Sequence, residues 1–168
     1  DEAGTVLLGD SVDEIGFGAV TREDDVFLLS GPVMRRLRIP PEQTRPLVAG
    51  EEVRDWGLVD PCEAIWPYDP LTLATTNTLA ASRALWPWKT QLSSRSAYGQ
   101  TQIERGLEWF EYSMFFRERF RAPRSITFAF VATHNHFVLD RGGKVFNRTA
   151  PVIKLPPTAT EDDHLGLL

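Results

Sequence analysis

The sequence predicts an α+β fold with a β-rich N-terminal part, central helices and a C-terminal antiparallel β-meander. Three observations carry this. Apolar residues near the start come in short runs broken by polar turns. Between about 79 and 120 they recur at spacings of three and four, the helical period. From Ile126 the period changes to two: Ile126, Phe128 and Phe130 alternate with Thr127, Ala129 and Val131, as in a half-buried strand.

Residues 15–20 and 26–29 read as short strands joined by the polar turn 21–25. Gly16 and Gly18 fit a strand glycine or bulge, because a nucleotide loop needs a third glycine and a helix behind it. Pro32 can open a short helix that Pro40-Pro41 ends. Residues 45–56 are too broken for a long element, and 64–68 read as a short strand. Helices follow at 79–86 and from Pro87 to about 96, the second placing Trp88, Leu92 and Arg95 on one face. The spacing predicts the longest helix over 107–120, with Trp109, Tyr112, Phe116 and Phe120 as a core-facing stripe. After it, 136–139 and 144–146 flank Asp140-Arg141-Gly142-Gly143, a hairpin signal because glycine accepts positive φ. A last strand is expected at 152–155. Trp56, Trp66, Trp109 and Phe128 are expected to hold the scaffold.

Composition narrows the function classes. At 168 residues and 42% hydrophobic, the chain can bury a core, which excludes a disordered tail. No apolar run approaches the ~20 residues of a membrane span, so no membrane partner is expected. Cys62 is the only cysteine, which excludes an intramolecular disulfide and points to a reducing cytoplasm. The sequence starts at Asp1, and Thr160 with Asp163 marks a helix start close to the last residue. The expectation is one domain, 1–168, from a larger protein, with an acidic lead-in at 1–14 and the start of a truncated helix at 158–168.

Self-contained catalysis is not visible. No nucleophile elbow or phosphate loop is present, and nothing singles out Cys62. His134 and His136, two apart on a strand, could face one side as metal ligands, and a metal-dependent hydrolase is one reading. A polar strand end is the other.

Charge is unevenly spread. Residues 1–25 hold eight acids and one base, whereas 83–124 hold eight bases (Arg83, Lys89, Arg95, Arg105, Arg117, Arg119, Arg121, Arg124) against four acids. Of 18 basic residues, 15 are Arg, whose planar fork of donors suits phosphates and guanine edges. A GC-rich genome would produce the same bias. The basic stretch fits a nucleic-acid surface, and equally a solvated helical face laced with Glu–Arg pairs.

Several strings then occur in order: 48–56 (Val-Ala-Gly-Glu-Glu-Val-Arg-Asp-Trp), 85–89 (Leu-Trp-Pro-Trp-Lys), 106–112 (Gly-Leu-Glu-Trp-Phe-Glu-Tyr), 126–140, 142–148 (Gly-Gly-Lys-Val-Phe-Asn-Arg) and 150–156. Together, over about residues 15–168, they resemble the region C-terminal to the catalytic core in the PglX family, adenine-specific DNA methyltransferases of BREX (bacteriophage exclusion) systems, type 2 branch. The resemblance implies a target-recognition segment that positions double-stranded DNA while a catalytic domain elsewhere, using S-adenosylmethionine, flips and methylates an adenine. The family's catalytic and cofactor motifs do not occur here, so no catalytic residue and no cofactor site are assigned. The DNA-contacting candidates are Arg95, Arg117 and Arg124 first, Lys89 next, then Arg83, Arg119 and Arg121, with His134 and Asn135 at a strand end. A module that docks other phage-defence components, or that phage inhibitors exploit, is the alternative.

Overall fold

A computed structural model describes residues 8–76 and 78–168. The first seven residues of the acidic lead-in, and Asn77, lie outside the described residues. The fold is α+β with antiparallel ladders, as the change of period implies. The described residues form two compact units: Val48–Asp60 and Glu118–Leu168 with residues 8–18, and Ala19–Leu47 with Pro61–Arg117.

The first unit is built on a four-stranded antiparallel sheet in the order Glu14–Gly16, Val152–Lys154, Ser125–Phe128, Phe137–Asp140. Val138, Val152, Ala150, Phe146, Val53 and Val48 form one buried cluster, and Ile126, Ile153 and Leu155 another. Thr127, in register between Val138 and Val152 of the first cluster, is fully buried, and its hydroxyl donates to the Pro151 carbonyl at 3.1 Å. Gly16 pairs with Val152 in the strand, and a Cβ there would stand 2.6 Å from the guanidinium carbon of Arg119, the flexible end of that side chain. Gly18 passes close to the main chain of Phe146. Gly18 therefore serves close packing within the unit.

In this unit the hairpin expectation needs correction. Gly142 and Gly143 do take positive φ, but Phe137–Asp140 pairs with Ser125–Phe128, and Val145–Phe146 belongs to a different sheet. The turn is drawn tight by Asp140, whose carboxylate accepts from the Gly142 N–H at 2.9 Å and from Lys144 at 2.6 Å. Beyond it, the Asn147 N–H donates to the Val48 carbonyl at 3.0 Å. The expected helix start is present: Thr160 caps Glu161–Leu167, with Asp163 returning the bond in a capping box.

The second unit carries three antiparallel strand segments, Leu28–Leu29, Cys62–Ile65 and residues 44–47, with Cys62–Ile65 in the middle. Residues 24–27 form a helical turn where a strand was expected to begin. The helices at Gly31–Leu37, Leu79–Leu85 and Lys89–Ser94 lie close to their expected bounds, with a 3-10 turn, Trp86–Trp88, around Pro87. The core is aromatic: Phe27, Trp66, Tyr68 and Tyr112 are buried and meet edge to face, with Phe115 packed against them.

The expected helix over 107–120 does not form. Gly106 turns at φ +73°, and only Arg117–Arg121 is helical, after the short strand Met114–Phe115. The cause is where the main-chain groups go. The carbonyls of Trp109 and Glu111 turn inward to the Arg95 guanidinium, and the Tyr112 N–H donates to the Tyr68 hydroxyl at 3.0 Å. Tertiary hydrogen bonds take the groups an α-helix would need. Trp109 and Tyr112 are still buried, as the aromatic spacing implied.

Candidate nucleic-acid interface

Each basic candidate falls into one of two groups, spent within the fold or available at its surface. Arg95 belongs to the first. It follows Lys89–Ser94 and is only 5% exposed. Its guanidinium donates to the carbonyls of Leu92, Thr21, Trp109 and Glu111. Burial draws its pKa down to about 10, so it stays cationic at neutral pH. Arg95 therefore ties loops together from inside, and its expected role at a DNA surface is corrected: the side chain is buried and held by four main-chain carbonyls.

Arg119 is also largely spent. Its side chain donates to the Phe17 carbonyl and to the Glu14 carboxylate, each at 2.6 Å. Arg121 is exposed but paired with Glu118 at 2.6 Å, and Arg124 is half-buried and bonds Glu161 at 3.2 Å. Glu161 also accepts from Arg141, and these two arginines hold its carboxyl below the usual carboxylate range. Arg117 is exposed, yet its Nε donates to the Leu73 carbonyl while the guanidinium lies over the Tyr68 and Phe115 rings.

Arg83 and Lys89 form the second group. Both are exposed, on Leu79–Leu85 and at the start of Lys89–Ser94. Trp86 stands between them, three residues from each and 61% exposed. Continuous right-handed helical backbone through Trp86 keeps residues at this spacing on neighbouring positions. Lys89 Nζ lies 4.7 Å from the Trp86 ring centroid, and Trp86 meets the buried Trp109 edge to face. An indole with one side to water, flanked by two cations, can support a base or sugar while the cations meet phosphates.

In the first unit, His134 and Asn135 are exposed in the loop between Phe128 and Phe137. His136 instead bonds Asp55 through Nδ1 at 2.8 Å. Among the described residues, no group of three or more His, Cys, Asp or Glu is placed to hold a metal ion. Nor is any helix long and apolar enough to cross a membrane.

Two apolar side chains, Trp56 and Phe130, defy the sequence expectation, and Val131 is exposed beside the second. Trp56, expected in the scaffold, is 73% exposed at a hairpin turn with φ +61°. Phe130 and Val131 are 66% and 82% exposed, because the strand ends at Phe128 before the alternation does. The turn-forming Asp55-Trp56-Gly57 was the available signal for the first. Nothing in the period-two pattern marks the strand end.

Compared with known proteins, the chain matches no family model. It is 39% identical over 171 residues to the adenine-specific methyltransferase PglX of Streptomyces coelicolor, across 99% of this chain. The chain is similar to PglX along nearly its whole length. It spans only 14% of that protein's length, so it corresponds to a segment of PglX.

Proposed function

We propose that this chain is a DNA target-recognition segment of an adenine-specific DNA methyltransferase in phage defence. It would position duplex DNA while a catalytic domain elsewhere flips and methylates the adenine. The observation that carries the reading is the exposed Arg83–Trp86–Lys89 row in a chain related to an adenine-specific methyltransferase. Phosphate contacts from Arg83 and Lys89 would set the register, and a subset of neighbouring side chains would read base edges. The methyl donor, S-adenosylmethionine, would be held by the catalytic domain.

Docking of another phage-defence component is the second reading, favoured by the exposed Leu79, Trp86 and Trp88 on one helical run. DNA is preferred because cations are interleaved with these side chains. Exchanging this segment in PglX for the corresponding segment of a methyltransferase with another target separates the two. Under the proposal, methylome sequencing finds the methylated sequence changing with the segment. An unchanged methylated sequence in an active hybrid would contradict it.

A further inference from the structure

Phe130 and Val131 are large apolar side chains held in water at the start of the loop that joins Ser125–Phe128 to Phe137–Asp140. Exposed apolar pairs at a loop of this kind carry a solvation cost, so what covers them in use is the question.

The surroundings point to an occupant. The feet of the loop are fixed: the Ala129 N–H donates to the His136 carbonyl at 3.3 Å, and the Phe130 N–H to the Thr149 carbonyl at 2.9 Å. His136 is itself anchored on Asp55. Each anchor has an exposed arginine as its chain neighbour, Arg148 beside Thr149 and Arg54 beside Asp55. His134 and Asn135, exposed in the same loop, can donate and accept hydrogen bonds. A rigidly based apolar tip, polar side chains in the same loop, and cations next to both anchors match duplex DNA. There, apolar side chains can part a base step while arginines meet the phosphates.

We infer that Phe130 and Val131 form a wedge that enters the base stack of duplex DNA and unstacks one step, with Arg54 and Arg148 on the flanking phosphates. The inference rests on the DNA-binding reading above and adds a specific device to it. Parting a step at one place lowers the cost of deforming or extruding a nucleotide nearby.

Permanganate probing reads unstacked thymines at every position, so the recognised sequence need not be known. The chain is titrated onto mixed-sequence duplex DNA, with fluorescence anisotropy recorded in parallel. The wild type is expected to bind and to create hyperreactive thymines. The double variant Phe130→Ser, Val131→Ser is expected to bind with the same salt slope and lose the hyperreactivity. Phe130→Leu, which keeps an apolar tip, is expected to retain it. Binding without hyperreactivity, or hyperreactivity unchanged in the double variant, overturns the wedge and leaves DNA binding intact. No binding by the wild type overturns both. Circular dichroism of the variants confirms that the exposed loop has been altered without unfolding the sheet.

Discussion

The Arg95 guanidinium donates through Nη2 to the main-chain oxygen of Glu111 at 2.7 Å, and through the same nitrogen to Trp109 at 2.9 Å. One buried cation thus holds a stretch that would otherwise have the pattern of a helix. Arg95→Ala leaves buried carbonyls without donors, and is expected to cost roughly 3–5 kcal/mol of stability. Urea denaturation checks this. A loss below about 1 kcal/mol, within the range of an exposed charge, would show that these bonds do not hold the loop.

Tyr68 and Tyr112 give the second unit an alkaline limit. Burial raises both phenol pKa values above the ordinary 10.0. The unfolded chain therefore loses these protons at a lower pH than the folded one. Their contribution is complete below pH 10 and falls as pH rises above it. Melting temperature followed from pH 8 to 11 should drop above pH 10. Tyr112→Phe should soften that drop, while costing roughly 1–3 kcal/mol at neutral pH because the Ile65 carbonyl loses its donor.

Gly50 is required for space. A Cβ there would collide with the main-chain oxygen of Thr149, a group that cannot swing aside. Gly50→Ala should destabilise by roughly 1–3 kcal/mol, as overpacking does. Equilibrium unfolding of the variant measures it, and a neutral result would mean that the 149 region readily shifts.

The C-terminal helix should fray in acid. Glu161 is held below its usual pKa first by hydrogen bonds from Arg141 and Arg124, and Asp163 by those from Thr160. These carboxylates stabilise the fold above their ordinary values near 4, and that stabilisation is lost as pH falls through them. Amide exchange across 161–167 should accelerate below pH 4 more than across 125–128. Thr160→Ala should cost about 1 kcal/mol through loss of the cap.

Local signals were legible in the sequence where neighbours in the chain decide the structure. The Thr160 capping box and the helices after Thr78 and around Pro87 formed as read, whereas the strand from Ile126 ends at Phe128 and buries Thr127 as fully as Ile126, so the alternation expected over 126–131 did not form. Residues 107–116 did not, because partners far along the chain decide them: Arg95, Gln102 and Tyr68 claim their main-chain groups. The same holds for the candidate site. Arg83 and Lys89 are exposed as expected of contacts, while Arg95 and Arg119 look identical to them in composition. Only the fold shows Arg95 bound to four carbonyls and Arg119 locked against Glu14.

The most direct test of the central claim is the salt dependence of DNA binding. Each phosphate contact contributes about −0.9 to the slope of log K against log salt. Fluorescence anisotropy of the chain on duplex DNA should show Arg83→Ala and Lys89→Ala each weakening binding and lowering the slope by about 1. Slopes unchanged in both variants, or no binding at low salt, would contradict a DNA-recognition role for this surface.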